Sequence, residues 1–249
     1  MDKYIYYTIN PSEQLFKQVA GFLYFLMKSK TSNKILVLPR FELKNKFYNY
    51  EDLFDFDSIN SNFNVITFNK YVQISKLNQS ISTNTDCYIH GVWQLPFSTP
   101  NYMDYRKYVK YNKKFYNVFN SSEEYLSIHW RQEDFLKVRP QVVMNKEELV
   151  RYAKYKLKEL NLTKVYIATN SDVPEDLNYI HKNLPTFKYP KENMSNIDYA
   201  ILETLICTKA TYFIGTDTSL YSTYIIGERI NLNKDAHEIF KHKLIKKQL

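Results

Sequence analysis

Short apolar runs alternate with stretches of helical period along almost all of this 249-residue chain. That alternation predicts an α/β fold with mainly parallel strands. Ile35-Leu36-Val37-Leu38, ended by Pro39, reads as a fully buried strand, and Tyr4 to Ile9, Asn64 to Phe68 and Cys87 to His90 are further strand candidates. A helix is predicted over Ser12 to Lys28, because Pro11 suits a helix start, where its missing N–H costs nothing. Lys70 to Asp86 is polar without a clear period, and a tyrosine-rich, basic stretch from Thr99 to Phe119 reads as a helical bridge. A second alternation follows, with strands at Tyr125 to Trp130, Val165 to Thr169 and Tyr212 to Ile214. Its helices are expected at Asn145 to Leu160, Pro174 to Asn183, Ile197 to Thr208, Ser219 to Glu228 and, as a basic amphipathic tail, Ala236 to Lys247. The economical summary is two α/β halves, residues 1–120 and 121–249.

Composition narrows the function classes. A hydrophobic content of 44% with 24% charged residues suits a globular chain rather than a disordered one. Only 4 glycines are present, and they lie too far apart for a Walker loop, a G-x-S-x-G elbow or a G-x-G-x-x-G fingerprint in full. The net charge of +8 suits an anionic small substrate, since a positive cleft raises its local concentration. Tyrosines interleave with the basic stretch Arg106 to Lys114, a pattern also used on single-stranded nucleic acid, but such a run is more often the wet face of a helix, and no nucleic-acid partner is expected. Cys87 and Cys207 each sit in an apolar pattern and read as buried thiols in a reducing compartment. No zinc spacing, signal peptide or membrane span is visible, so the expected setting is cytoplasmic, with no membrane partner.

Three strand ends in the second half carry chemistry. In Ser127-Ile128-His129-Trp130-Arg131-Gln132-Glu133-Asp134-Phe135 an extended strand sends His129 and Arg131 to one face. A guanidinium there presents a fork of donors matched to phosphate, at the strand edge where open α/β sheets bind ligands; the plain alternative is a surface arginine. Ile167 to Asp172 is a second apolar strand stopping at a polar turn. The third, Phe213 to Ser222, runs from a strand through Gly215 to hydroxyls that open a helix, either an anion site or a simple N-cap by Thr218 or Ser219. Asp198 stands at a helix start, where it either opposes the dipole or reads a guanine edge. Glu13 and Gln14 open the first helix, as caps or as groups facing a cleft. Asp55-Phe56-Asp57 has the D-x-D form of some metal sites but follows no strong strand, so no metal is expected.

In this order the pieces resemble the inverting fucosyltransferases, in particular the protein O-fucosyltransferase family. Leu36 to Pro39 looks like the family's V-L-P-P, and Tyr50 to Asn60 like its F-x-D-I-F-D-V-D stretch. SIHWRQEDF is similar to H-x-R-x-G-D-[FYW], VYIATNSD to V-Y-I-A-T-D-S, and Ile197 to Arg229 to the closing segment ending in E-R. The resemblance implies a GT-B-like α/β fold of two facing Rossmann-like domains, acceptor-side first and GDP-sugar-binding second. It implies GDP-fucose as donor, a protein or glycan hydroxyl as acceptor, and no metal or other cofactor. Arg131 would bind the pyrophosphate and stabilise the departing diphosphate, His129 would order that site, and Asp198 would read guanine. Ser219 and Ser222 would contact phosphate, with Gln14, Asp134, Thr218 and Tyr221 completing the donor-binding set.

The chain departs from the family at three places. The loop written G-x-[FG]-N-Q is here Asn10-Pro11-Ser12-Glu13-Gln14, which loses the glycine and offers Glu13 as a general base. Gln132-Glu133 stand where a glycine usually precedes the aspartate, and Leu220 replaces one of two serines. Two other readings stay open: the same fold with another GDP-sugar or an α1,2/α1,6 glycan acceptor, and a non-catalytic sugar-nucleotide or carbohydrate binder.

Overall fold

The computed structural model describes residues 3–8, 14–39, 41–43, 46–77, 85–88, 102–119, 122–189, 191 and 193–240. The chain divides into two units, Met1–Tyr116 and Asn117–Leu249. The first contains β1 (Tyr4–Tyr7), α1 (Leu15–Ser32), β2 (Ile35–Leu38), β3 (Phe41–Leu43), β4 (Lys46–Tyr48), α2 (Tyr50–Leu53), α3 (Phe56–Asn60), β5 (Val65–Thr67), α4 (Phe68–Leu77), β6 (Thr85–Tyr88), a 3-10 turn over Tyr102–Tyr108, and α5 (Lys113–Val118). Its sheet has the order β5-β2-β1-β6 with every pairing parallel, and β3 and β4 form a separate antiparallel hairpin. The unbroken apolar run of β2 is what a parallel strand covered on both faces requires, and Leu36, Val37 and Leu38 are buried. Helix α1 stops where Asn33 takes φ 52°, letting the Lys34 N–H bond the Ser29 carbonyl.

Several expectations change in this unit. Helix α4 forms where no period was visible: its apolar face is short, with Phe68 and Tyr71 only half-buried against Tyr6 and Tyr4 of β1. Cys87 is exposed, since β6 ends its sheet order, whereas Cys207 is buried. The tyrosine-rich bridge breaks into the 3-10 turn and α5, and Arg106 is buried with Cζ 4.4 Å over the Tyr111 ring, a packing role for that basic stretch. The Asp55 carboxylate accepts the Ser58 N–H at 3.2 Å and so caps α3.

The second unit contains β7 (Leu126–Trp130), α6 (Asp134–Val138), a 3-10 turn over Pro140–Val142, α7 (Lys146–Glu159), β8 (Val165–Thr169), α8 (Pro174–Asn183), α9 (Asn196–Lys209), β9 (Tyr212–Thr216), α10 (Leu220–Asn231) and β10 (His237–Phe240). The sheet order is β10-β9-β7-β8, again parallel throughout. Leu126, Ile128, Trp130, Val165 and Ile214 form its centre with Leu149, Ala153 and Ile180 from the helices. The basic tail helix expected from Ala236 begins instead as β10. Pairing with β9 satisfies backbone that a helix there would leave beside an open strand, and it buries Phe240; residues 241–249 lie outside the described set. No helix among the described residues is long and apolar enough to cross a membrane.

One buried charge secures the helices that flank the sheet. Arg229 is fully buried, and no carboxylate pairs with it among the described residues. Its guanidinium donates to the carbonyls of Cys207, Thr208, Ala210, Thr211 and Ala236 at 2.7–3.3 Å. Two of these belong to the last turn of α9, whose dipole favours a cation. Five oriented carbonyls thus stand in for a counter-ion, and they fix where α9 ends and β9 begins.

Candidate functional site

The chain leaves β7 for β8 on one side, while β9 lies on the other. Ligands of open α/β sheets sit at such a reversal, outside the carboxyl ends of the strands. The β7–β9 pairing ends at Ile128–Ile214, whereas the β7–β8 pairing continues to Trp130–Thr169, so β9 parts from β7 before β7 is finished. Side chains take over the backbone groups left at this split. The Thr216 hydroxyl donates to the His129 carbonyl at 2.6 Å and accepts the Arg131 N–H at 3.2 Å. On the other side Thr169 Oγ1 donates to the Trp130 carbonyl at 2.7 Å, and Asn170 Oδ1 accepts the Gln132 N–H at 2.8 Å. The buried Gln132 amide donates to the carbonyls of Arg131 and Met144 at 3.0 and 3.2 Å. Every backbone group from the His129 carbonyl to the Gln132 N–H is therefore held, and Arg131 is presented from a fixed base.

His129 is buried beneath it. Its Nδ1 shares a hydrogen bond of 2.8 Å with the Ser222 hydroxyl, which also accepts the Thr216 N–H at 2.9 Å. The imidazole meets the Tyr221 ring edge to face, with centroids 4.7 Å apart. Burial, with the Arg131 charge adding to it, pushes His129 down to about 3, so the ring is neutral near neutral pH. Gly215 makes this close packing possible: a Cβ there would lie 2.8 Å from Ser222 Cβ. Ser222 is fully buried and its hydroxyl engaged, so it sits under the site as a support for His129 rather than on its surface.

Arg131 is partly exposed and pairs with Asp134, Nη2 to Oδ1 at 2.8 Å, over the Phe135 ring. Ser219 caps α10, its hydroxyl accepting the Ser222 N–H at 3.5 Å. Thr218, just before it, takes φ 57°, a left-handed conformation that a β-branched residue rarely adopts. Glu133 takes φ 42° and ψ −105°, which suits glycine and strains any other residue. In the motif that this stretch resembles the same position is a glycine, for which such a conformation costs little. Strain of this kind persists where its surroundings fix it, and here it flanks the strand end on both sides.

His129, Arg131, Asp134, Thr218, Ser219, Tyr221 and Ser222 thus come together around the ends of β7 and β9. Asp198 lies at the start of α9, on the same edge of the sheet, where its carboxylate accepts the Ser195 hydroxyl at 2.8 Å. Gln14 is in the first unit, exposed and directly before α1, and its side chain makes no capping bond. Glu13 lies outside the described residues. Sequence reasoning missed the parts played by Thr216, Gln132 and Asn170; the polar residues closing two neighbouring apolar strands were the available signal. Among the described residues, no three His, Cys, Asp or Glu side chains gather as metal ligands would.

A cleft of about 220 Å³ elsewhere in this unit is lined by Tyr166, Thr169, His181, Tyr199 and Glu203. Its carboxyl accepts from the Tyr166 hydroxyl at 3.1 Å, and burial pushes it up to about 7. Lys188 lines this cleft as well, so its charges are mixed, whereas the edge at Arg131 joins a guanidinium to a helix start and is the better phosphate site.

Replacing Glu133 with glycine removes the strain at this turn, worth about 1–3 kcal/mol, against about 0.5–1 kcal/mol for glycine's greater freedom when unfolded. Thermal unfolding is expected to show Glu133→Gly more stable than the native chain by about 1 kcal/mol, a rise of a few degrees. An equal or lower midpoint would show that Glu133 is not strained.

The sequence model of the family described as GDP-fucose protein O-fucosyltransferase matches residues 99–232, more than half of the chain. GDP-fucose protein O-fucosyltransferase 2 of Homo sapiens is 32% identical over 117 residues, covering 45% of this chain and 27% of that protein. The Caenorhabditis elegans protein of the same name is 28% identical over 109 residues, covering 42% and 26%. The match thus spans about a quarter of the length of these curated relatives. A crystal structure of POFUT1 in complex with GDP-fucose superimposes with a TM-score of 0.71 at 14% identity, covering 96% of this chain and 98% of that one. One of NodZ α-1,6-fucosyltransferase with GDP gives 0.56 at 12% identity, covering 90% and 92%. These likenesses carry the fold, an α/β architecture of the GT-B class. The match over residues 99–232 takes in β7, Arg131 and the whole β9–α10 turn, and the chain belongs to the GDP-fucose protein O-fucosyltransferase family.

Proposed function

We propose that the protein is an inverting glycosyltransferase that moves fucose from GDP-fucose to a hydroxyl of a protein. The observation that carries this reading is Arg131, fixed at the carboxyl end of β7 beside the capped start of α10. Family membership and the donor named for the POFUT1 structure support the choice of sugar nucleotide. In the reaction the acceptor oxygen bonds to the anomeric carbon from the face opposite the leaving group. The carbon–oxygen bond to the β-phosphate breaks, and its electron pair stays on the phosphate oxygen. Arg131 and the α10 N–H groups meet the charge that develops there, which is why no metal is needed in this reading. Asp198 accepts from the guanine edge, and Asp134 orients the Arg131 fork. His129 is a positioning residue: neutral and buried, it holds Tyr221 and Ser222 beneath the turn. Glu13 takes the acceptor proton, a reading that rests on the sequence alone. The first unit is the acceptor side and the second the donor side.

Calorimetric titration tests the donor. GDP should bind and UDP should not, and GDP at about 100 times its Kd should stabilise the fold by about 2.7 kcal/mol. Arg131→Ala should remove this binding and lower kcat/KM for fucosyl transfer roughly 100- to 1000-fold. A uridine preference, or an unaffected Arg131→Ala variant, would sink the assignment. GDP binding without transfer to any protein acceptor would instead identify a non-catalytic binder. The compartment is read as cytoplasmic, a proposal supported by two unpaired thiols, one of them exposed. Asn161, exposed within Asn161-Leu162-Thr163, reports on it: the native protein should carry no glycan there, and an occupied site would place the chain in the secretory pathway.

A further inference from the structure

A second arginine reaches the same edge. Arg139 ends α6, where its N–H bonds the Phe135 carbonyl at 2.8 Å and Pro140 prevents the helix from continuing. Its guanidinium lies over the Phe135 ring, Cζ 5.2 Å from the centroid, while Arg131 faces that ring at 5.4 Å. From there it crosses to the β9–α10 turn, and Nη1 donates to the Thr218 carbonyl at 2.8 Å. Thr218 directly precedes Ser219, the cap of α10, so the guanidinium is anchored one residue from that helix start.

The two arginines are differently compensated. Arg131 has Asp134 as its partner. Arg139 is exposed, and among the described residues its guanidinium makes one hydrogen bond, to a neutral carbonyl, and pairs with no carboxylate. A guanidinium has five N–H donors, so most of this fork is unused. Two like charges gathered on one ring, beside a helix N-terminus, repel each other until an anion joins them. One phosphate can be served by Arg131 and the helix start; a second gives the Arg139 fork its use.

We propose that Arg139 is a second anion-binding residue, which contacts the α-phosphate of a nucleoside diphosphate while Arg131 holds the β-phosphate, so that the two guanidinium groups clamp both phosphates. This rests on the reading of Arg131 as the diphosphate-binding residue. The test is titration of GDP, GMP and guanosine into the native protein and into Arg139→Ala, Arg139→Gln and Arg139→Lys, with Arg131→Ala as control. A charge-assisted contact to the α-phosphate predicts that Arg139→Ala and Arg139→Gln weaken GDP and GMP roughly 10- to 100-fold and leave guanosine within about threefold, with Arg139→Lys recovering part of the loss. Unchanged GDP affinity in both neutral variants, while the native protein binds GDP and Arg131→Ala does not, overturns the role of Arg139 alone. An equal loss for GDP, GMP and guanosine means that Arg139 only shapes the Thr218 turn, and also overturns it. Failure of the native protein to bind GDP overturns the site reading and this inference with it.

Discussion

The Thr216 hydroxyl lies where β7 and β9 separate, and the arrangement above it depends on its two hydrogen bonds. Strands that part at a carboxyl edge leave backbone donors and acceptors with no ladder partner, and buried groups of that kind are costly. Thr216 takes both the His129 carbonyl and the Arg131 N–H, so the split stays open without orphaned groups. Ser222 then ties Thr216 back to His129, which links the first turn of α10 to the strand beneath Arg131. Gly215 admits that contact because a side chain there would collide with Ser222. The backbone at Arg131 is thus held by hydrogen bonds internal to the protein, the kind of preorganisation that electrostatic stabilisation uses.

The charge pattern of the site follows from these constraints. His129 is held neutral by burial and by its cationic neighbour, so it can support Arg131 without adding a competing proton. The positive character of the edge comes from guanidinium groups and from the start of α10, none of which depends on pH near neutrality. The departure at Gln132-Glu133 changes backbone cost more than chemistry. Gln132 turns inward and latches two carbonyls, while Glu133 keeps a glycine-like conformation under strain.

Much of the fold could be read from the sequence because its strands are unbroken apolar runs. Ile35–Leu38, Val165–Thr169 and the helix Pro174–Asn183 form with the expected bounds. Helix α4 escaped because its apolar side chains are few and only half-buried, and β10 was taken for the start of a helix because the basic run Lys241 to Lys247 follows it, whereas pairing with β9 makes His237–Phe240 a strand. At the site, Arg131 and the hydroxyls after Gly215 were legible as polar groups closing apolar strands. The burial of Ser222 was not, since it depends on how closely α10 packs on β9. Arg139 was invisible for the same reason: its partner, Thr218, lies 79 residues away in the chain.

A crystal structure of the protein grown with GDP tests the central claim most directly. The account predicts diphosphate oxygens about 2.7–3.2 Å from the Arg131 guanidinium and from N–H groups at the start of α10, with His129 still bonded to Ser222 beneath them. GDP bound in the cleft beside Glu203, or anywhere that leaves Arg131 paired only with Asp134, would contradict it.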